Sequence, residues 1–272
     1  MTGSFDWQGK VGNVWASESR RTDRSFTELT ARLHARMFAT TPQSGQAIDI
    51  GCGAGQTSIA LAQARPGLAI TGIDLSGGLL AIARSQAHSL SNLAFVQDDA
   101  AAGAASCAPV DLYVSRHGVM FFDNPVAAFT SFKAAASPSG HIVFSCFRDW
   151  TLNGFAYSIG RLADNVAPRP DAPGPFAFAD KDKVAKILSD AGWKNAEAES
   201  FDFSYIAGEG DDPVADAVSF MLRIGPASRA IADATDSKRP AMIDGLREIC
   251  EDHLHGDRVL FPAAAWIWSA QV

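Results

Sequence analysis

A glycine-rich turn between an apolar segment and a helical one constrains the fold more than any other feature of this sequence. The apolar residues 47–50 lead directly into Gly51, Gly53 and Gly55, and residues 57–64 then follow a helical pattern. Glycine adopts backbone conformations that other residues avoid, and it lets a ligand approach the main chain closely. The helix that follows directs its positive end toward that ligand. This order predicts a ligand-binding strand–turn–helix unit.

Strands and helices continue to alternate after that turn. Several of the predicted strands lack polar alternation, which is typical of parallel strands that are buried on both faces. The pattern therefore predicts an α/β fold, with a mostly parallel sheet and helices on both of its faces. The strands are predicted at residues 47–50, 68–74, 93–97, 110–115 and 141–147, followed by 196–206 and a closing strand at 259–272.

Three regions follow from this pattern. Residues 1–44 are predicted to form an N-terminal helical cap, and residues 45–147 the ligand-binding core. Residues 148–272 complete the sheet and carry an inserted loop and helices on the substrate side. The prolines at 168, 170, 173 and 175 predict a loop within 148–179, and residues 211–254 are predicted to be helical.

Composition excludes several classes of function. The 272 residues include 23 Lys and Arg against 30 Asp and Glu, which gives a net charge of −7 and a pI near 5.3. Non-specific nucleic-acid binding needs a basic surface, so no nucleic-acid partner is predicted. No apolar run approaches the ~18 residues of a membrane span, and the N-terminal residues lack the apolar core of a signal peptide. We therefore expect a cytoplasmic protein without a membrane span.

Cysteine and histidine spacing does not indicate a metal. The four cysteines lie far apart, which argues against a disulfide framework and against a cysteine zinc site. Cys250, His253 and His255 lie on a predicted helix end at positions i, i+3 and i+5, which do not share one face. No metal is predicted.

Acidic residues beside the glycine turn distinguish between cofactor classes. A dinucleotide fingerprint places its third glycine five residues after the first, whereas Gly55 lies only four residues after Gly51. Asp49 precedes the turn, where a carboxylate suits an ammonium group better than a pyrophosphate. Asp74 ends the second strand and is placed to bind a ribose diol. Asp99, after the third strand, is placed to bind an adenine amino group, although a loop or helix-capping carboxylate is the alternative for each acid.

These motifs together resemble the class I S-adenosylmethionine-dependent methyltransferases. The similarity is close over residues 45–147, and it rests on IDIGCGAG, ITGIDLS, FVQDDA and DLYVSRHGVMFF. The segment SRHGVMFFDNPVAAF, with PGPFAFAD and the AGW turn at 191–193, is similar to the subgroup related to ubiquinone/menaquinone-biosynthesis methyltransferases.

The resemblance implies a Rossmann-like, seven-stranded, mostly parallel sheet with S-adenosyl-L-methionine across the carboxyl ends of its strands. Relative to the family, the insertion of about 50 residues before the last strand is long, and it is expected to roof the substrate pocket. Trp15 is a candidate to cover the cofactor. The implied cofactor contacts are Gly51, Gly53 and Gly55 with methionine and ribose, Asp49 with the amino group, Asp74 with the ribose, Leu75, Asp99 and Ala100 with adenine, and Ser115 and Arg116 with the methionyl part.

Methyl transfer from a sulfonium is an in-line displacement, in which positioning and exclusion of water contribute much of the catalysis. His117 is the candidate general base, with a structural hydrogen bond as the alternative. Arg116 either binds a carboxylate or pairs with a neighbouring acid. The predicted substrate is a small-molecule acceptor whose O, N or C atom is unresolved, and the assembly state is open, with a homodimer as one option. The competing hypotheses are a nicotinamide-dependent oxidoreductase and a non-catalytic S-adenosylmethionine-binding protein.

Overall fold

One mixed sheet organises the chain in the computed structural model, which describes residues 7–160, Leu162 and residues 172–272. Its strand order is β3-β2-β1-β4-β5-β8-β6, and the short β7 pairs with β8. The strands are β1 (Ser44–Ile50), β2 (Gly67–Asp74), β3 (Leu93–Gln97), β4 (Val110–Arg116), β5 (Ala136–Phe147), β6 (Lys194–Glu209), β7 (Leu254–His255) and β8 (Arg258–Gln271).

Strands β1 to β5 pair in parallel, and β8 pairs antiparallel with β5, β6 and β7. The predicted α/β class with a mostly parallel sheet is therefore confirmed, with a two-residue strand added to the seven expected. The order of strands reverses between β1 and β4. Ligands of open α/β sheets bind at such a switch point, outside the carboxyl ends of the strands.

Helices cover both faces of the sheet, and many begin at capping residues that the sequence shows. Asn124 accepts a hydrogen bond from the backbone of Ala127, and Asp180 caps its helix in the same way. The helices are α1 (Lys10–Ser17), α2 (Ser19–Ser25), α3 (Thr27–Thr40), α4 (Gln56–Ala64), α5 (Gly77–Gln86), α6 (Ala100–Gly103), α7 (Pro125–Ala135), α8 (Gly154–Gly160), α9 (Lys181–Asp190), α10 (Pro213–Met221), α11 (Pro226–Asp233) and α12 (Arg239–Asp252).

The second half differs from the prediction in two places. Helix α8 lies within the region predicted as a loop, whose Pro168 and Pro170 fall outside the described residues. The helical stretch predicted at 211–254 is three separate helices. Each of these has a proline in its first turn, where the missing N–H breaks no helical hydrogen bond.

The N-terminal helices position one wall of the functional site. Leu29, Leu33 and Met37 of α3 recur at helical spacing and are buried, as is Phe26 just before the helix. Helix α3 packs with this face against β4, β5 and β6. Helix α2, which precedes it, contributes Ser19, Thr22 and Asp23 to the cavity at the carboxyl edge of the sheet. No helix among the described residues is both long and apolar enough to cross a bilayer.

Candidate functional site

A cavity of about 250 Å³ opens at the carboxyl ends of β1, β2 and β4, where the strand order reverses. Its floor comes from the loops after these strands, and its opposite wall comes from α1 and α2. Of the residues predicted to bind a cofactor or to act in catalysis, those on the cavity wall are Asp49, Gly51, Gly53, Asp74, Leu75, Asp99, Ala100, Arg116 and His117.

The glycine turn forms the floor of the cavity. Gly53 has a positive φ of 55°, and a Cβ added there would meet nothing within 4 Å. Its N–H donates to Asp74 Oδ2 at 2.8 Å, which ties the turn to the end of β2. Gly55 lies outside the wall. A Cβ on it would be 2.8 Å from Phe95 Cζ, so this glycine allows α4 to pack closely on the sheet.

Asp49 is a buried carboxylate directly beneath the turn. It is 1% exposed, and its Oδ2 accepts a hydrogen bond from Ser58 Oγ at 2.6 Å. Burial raises the pKa of Asp49 to about 7, against the opposing effects of Ser58 and the Arg116 charge. A cationic group in the cavity would stabilise the ionised form of this carboxylate.

Asp74 is held in place by the backbone. Its Oδ2 accepts from Gly53 N, and its Oδ1 accepts from Ser76 N at 2.8 Å. Burial raises the pKa of Asp74, although the N–H groups of Ser76, Gly53 and Leu75 act in the opposite direction. A carboxylate has about four acceptor positions, so two backbone bonds leave others free for a ligand.

Asp99 caps a helix and also lines the cavity. It caps α6, because its Oδ1 accepts from Ala101 N at 2.9 Å and from Ala102 N at 3.1 Å. It also lies on the cavity wall together with Ala100. The capping bonds use one oxygen and fix the orientation of the carboxylate.

Ser115 lies behind the wall of the cavity. Its hydroxyl donates to the Ile50 carbonyl at 2.7 Å and accepts from Gly118 N at 3.1 Å. This side chain is fully buried and joins the ends of β1 and β4. Ser115 therefore braces the turn from behind the wall, and its contact with the methionyl part of a cofactor stays a prediction.

Arg116 lies on the wall and pairs with an acid of the N-terminal helices. Its Nη2 donates to Asp23 Oδ1 at 2.5 Å, and its Nη1 donates to Thr30 Oγ1 at 3.0 Å and to the Gln56 amide oxygen. The guanidinium carbon lies 5.7 Å from the Phe26 ring centroid. Of the two interpretations that the sequence left open, the structure shows the ion pair.

His117 is buried in an aromatic environment. Its ring lies 4.3 Å from that of Phe147 and 5.1 Å from that of Phe26, and Nδ1 lies 2.8 Å from Ser145 Oγ. Nε2 has no hydrogen-bond partner among the described residues. Burial, with a smaller effect of the Arg116 charge, lowers the pKa of His117 to about 3, so the ring is neutral at physiological pH. Its φ of 62° is rare for a residue other than glycine.

Several wall residues could not be predicted as such. The cavity is lined on this side by Thr22 and Asp23 of α2 and by Phe26 at its C-terminal end. A helical pattern in the sequence does not show which face of the helix lines a cavity. Trp15, a candidate cover for the cofactor, does lie on the wall. The Trp7 ring lies 5.6 Å from that of Trp15, on the same side of the cavity.

The insertion between β6 and β8 does not roof the cavity in the described part of the chain. None of the wall residues belongs to 210–257. Instead, the insertion holds the N-terminal helices from outside. Glu18, which is 4% exposed, pairs with Arg223, and Arg24 pairs with Asp216 at 2.7 Å. These contacts lie one layer behind the wall residues of α2.

Two other chemistries find no support at this site. Within residues 7–160, 162 and 172–272, no three His, Cys, Asp or Glu side chains lie close enough to hold a metal. Cys52 lies in the glycine turn, but burial and the charges of Asp49 and Asp74 raise the pKa of its thiol well above the ordinary value. A protonated thiol is a weak nucleophile.

The sequence profile of a family described as "Methyltransferase domain" matches residues 20–198, which is more than half of the chain. The chain belongs to the methyltransferase-domain family. A malonyl-[acyl-carrier protein] O-methyltransferase of Geobacter sulfurreducens is 27% identical to it over 172 residues, 61% of this chain and 62% of that protein. The same enzyme of Xylella fastidiosa is 27% identical over 128 residues, 46% and 43% of the two chains. The chain thus spans less than two thirds of the length of these curated relatives.

Two solved structures share the fold of this chain. Phosphoethanolamine N-methyltransferase 2 of Haemonchus contortus, solved with S-adenosylhomocysteine, has a TM-score of 0.55 and 15% identity over 97% of this chain and 58% of that one. YcgJ of Bacillus subtilis has a TM-score of 0.55 and 17% identity over 88% and 97% of the two chains. At these identities the likeness concerns the fold alone, and it agrees with the class I resemblance.

Proposed function

We propose that this methyltransferase transfers a methyl group from S-adenosyl-L-methionine to a small-molecule acceptor. The observation that carries the proposal is the convergence of Asp49, Gly53 and Asp74 on one cavity at the switch point of the sheet. These three residues come from the ends of two different strands, and the N–H of Gly53 donates a hydrogen bond to Asp74. They present an open stretch of main chain flanked by oriented carboxylates, which suits an adenosyl amino acid.

The adenosine half of the cofactor is assigned to the β2 and β3 ends. Asp74, already oriented by two backbone N–H groups, would accept hydrogen bonds from both ribose hydroxyls. Leu75 would pack on the adenine ring. Asp99 has one oxygen free of capping bonds, and with the backbone of Ala100 it would bind the adenine edge.

The methionine half is assigned to the β1 and β4 ends. Asp49 would bind the ammonium group, because a cation restores the ionised form that burial disfavours. Arg116 would attract the carboxylate while it stays paired with Asp23. Gly51 and Gly53 would lie against the methionine part of the cofactor, between its ammonium group and its carboxylate. Gly55 and Ser115 would support the glycine turn from behind.

When bound, S-adenosyl-L-methionine supplies a methyl group on a positively charged sulfur, which leaves as a neutral thioether. The protein's own residues hold the acceptor in line and exclude water. His117 lines the cavity and is neutral, and its Nε2 has no hydrogen-bond partner among the described residues. We assign to His117 the role of the base that takes the proton from the acceptor. The sulfur loses its positive charge in the same step, so protonation of His117 leaves the net charge of the cavity unchanged.

The acceptor is proposed to be a small molecule, and an oxygen atom is one candidate for its acceptor atom, since the curated relatives are named as malonyl-[acyl-carrier protein] O-methyltransferases. The site of action is proposed to be the cytoplasm. Cys52, Cys107, Cys146 and Cys250 are all free thiols, which suits a reducing compartment. A homodimer stays a prediction that size-exclusion chromatography with light scattering can test.

Calorimetric titration with S-adenosylmethionine and with S-adenosylhomocysteine tests the cofactor assignment. We expect saturable binding of both ligands and none of NADH, which would be the ligand of a nicotinamide oxidoreductase. The proposal would be refuted if neither S-adenosylmethionine nor S-adenosylhomocysteine bound. Release of radiolabelled methyl to an acceptor distinguishes the enzyme from a protein that only binds the cofactor.

A further inference from the structure

Helix α1 and Trp7, which precedes it, span the cavity above its floor. On one side α1 packs on α5, the helix that follows β2. On the other side the Trp7 ring lies edge-on to the ring of Phe121, in the short turn after β4, with 5.2 Å between the ring centroids. Strand β1, which ends in the glycine turn, lies between β2 and β4 in the sheet. The segment from Trp7 through α1 therefore crosses over the turn to which the cofactor is assigned.

Small residues allow α1 to lie directly on the start of α5. A Cβ on Gly12 would be 2.0 Å from the Trp7 carbonyl oxygen and 2.7 Å from Ser76 Oγ, so only glycine fits there. A Cβ on Gly78 would be 3.4 Å from Ala16 Cβ. Ser76 caps α5 and comes two residues after the end of β2. The contact thus places α1 beside the end of β2, to which the adenosine half of the cofactor is assigned.

Helix α1 is held on α5 by packing and not by polar contacts. The side chains of residues 10–16 make no hydrogen bond or ion pair with any other described part of the chain. The first such bond occurs at the C-terminal end of the helix, where Ser17 Oγ accepts from Arg223 Nη2 at 2.7 Å. Separation of α1 from α5 therefore leaves no buried polar side chain of α1 without its partner, and the cost of such a separation is low.

Helix α2 is fixed in place by ion pairs. Asp23 pairs with Arg116 at 2.5 Å, and Arg24 pairs with Asp216 at 2.7 Å. Glu18 lies at the junction between α1 and α2, and it is 4% exposed and paired with guanidinium groups. The N-terminal wall thus consists of a fixed helix, α2, and a helix that only packs, α1, joined at one anchored residue.

We infer that α1 is a lid, which opens at its junction with α2 to admit and release the cofactor and closes over the adenosine half. Helix α2 stays on the sheet during this motion. The inference rests on the proposed function, because the proposed cofactor is the ligand that the lid covers. S-Adenosylhomocysteine is the product left after methyl transfer, and a lid over a bound product controls the rate of its release.

A disulfide between α1 and α5 tests whether α1 must move. Ala16→Cys combined with Gly78→Cys places two thiols on Cβ atoms 3.4 Å apart, close to the ~3.5–4.5 Å found in disulfides. The double variant is oxidised once without ligand and once after saturation with S-adenosylhomocysteine, and mass spectrometry verifies the bond. Stopped-flow fluorescence then gives the association rate for the first sample and the dissociation rate for the second.

We expect the disulfide to slow both the entry and the exit of S-adenosylhomocysteine at least about tenfold, because opening of the lid precedes each step. Reduction with dithiothreitol should restore both rates. The single variants Ala16→Cys and Gly78→Cys, oxidised in the same way, are the matched controls and should stay within about twofold of the unmodified protein. Damage to the site would instead speed the exit, because a distorted site holds its ligand less firmly.

Hydrogen exchange of the unmodified protein tests the lid without any substitution. Helix α1 has eight residues and α2 has seven, and helices this short are marginally stable in water once they leave the fold. Without ligand, we expect the amides of α1 to exchange at least about tenfold faster than those of α2, because only α1 opens. Saturation with S-adenosylhomocysteine should slow exchange in α1.

Failure of this inference and failure of the proposed function are distinguishable. Lack of S-adenosylhomocysteine binding by the unmodified protein would refute the proposed function and this inference with it. With normal binding, the inference alone is overturned by unchanged rates in the oxidised double variant, by faster exit, by failure of the two thiols to join, or by equal exchange in α1 and α2. Slower entry and exit, reversed by reduction, would support the lid.

Discussion

Arg116 at the end of β4 donates a hydrogen bond of 2.5 Å to Asp23 of α2, and this contact joins the sheet to the N-terminal helices across the mouth of the cavity. The two side chains are 16% and 24% exposed. The same guanidinium also reaches Thr30 and Gln56. One ion pair therefore contributes both to the stability of the N-terminal wall and to the charge of the binding site.

The coupling between Arg116 and Asp23 can be measured by a double-mutant cycle of Arg116→Gln and Asp23→Asn in urea denaturation. Because the pair is mostly buried, we expect a coupling energy of about 1–3 kcal/mol. The exposed pair Arg239 and Asp236, the latter 96% exposed, should give below about 0.5 kcal/mol. Equal coupling in the two cycles would show that the pair at the cavity mouth does not hold the wall.

Asp74→Asn should weaken binding of S-adenosylmethionine by at least about 100-fold, because two charge-assisted hydrogen bonds to the ribose are weakened. Asp111→Asn is the matched control. Asp111 also accepts a backbone hydrogen bond, from Gln46 N at 2.9 Å, but it lies at the amino end of β4, away from the cavity. Calorimetry gives both affinities, and near-native binding by Asp74→Asn would contradict the ribose assignment.

The pKa of Asp49, raised to about 7, predicts a pH dependence of cofactor binding. Only the ionised carboxylate attracts the ammonium group, so affinity should level off as the pH rises through ~7 and fall by up to about tenfold per unit well below it. An α-amino group has a pKa of ~7.7–8.0 or above, so the ammonium keeps its charge between pH ~5.5 and ~7. Calorimetry over this range should show the decrease, and Asp49→Asn should bind weakly with a flat profile. A decrease that persists in Asp49→Asn would assign the titration to another group.

Glu18→Gln should loosen the wall formed by α2 without touching the cofactor site. Glu18 is buried between Arg21 and Arg223, and loss of its charge leaves two guanidinium groups without their buried partner. We expect thermal denaturation to show a loss of about 2–4 kcal/mol, with faster hydrogen exchange in α1 and α2. Glu197→Gln, in a pair where Glu197 is 71% exposed, should change stability by less than about 0.5 kcal/mol. Similar effects of both substitutions would contradict the bracing function of the insertion.

Local patterns in the sequence were sufficient to predict the floor of the site. The strands ending at Ile50, Asp74 and Arg116 and the glycine turn are encoded by apolar runs, turn residues and caps within a few positions of one another. The parallel order of the strands then brings their carboxyl ends to one edge. For this reason Asp49, Gly53 and Asp74 could be placed in one site from sequence alone.

Contacts between distant parts of the chain could not be read from the sequence. Asp23 and Arg116 are 93 residues apart, and nothing in the helical period around Phe26 shows that α2 lies across the end of β4. The insertion was expected over the cavity and instead packs against the N-terminal helices in the described residues, because the helical pattern of residues 211–254 does not show which layer the helices join. Ser115 and Gly55 fit the expected motif, yet their side-chain surroundings place them behind the wall.

The insertion behind α2 has a consequence for how new acceptors can be acquired. The floor that is assigned to the cofactor belongs to the sheet, whereas the opposing wall is carried by helices whose position depends on Glu18, Asp216 and Arg223. Substitutions in the insertion can thus reshape the wall while the floor stays intact. Directed evolution of this protein toward other acceptors should therefore randomise the outer helices together with the pocket, because the outer helices can change without altering a residue of the cavity wall.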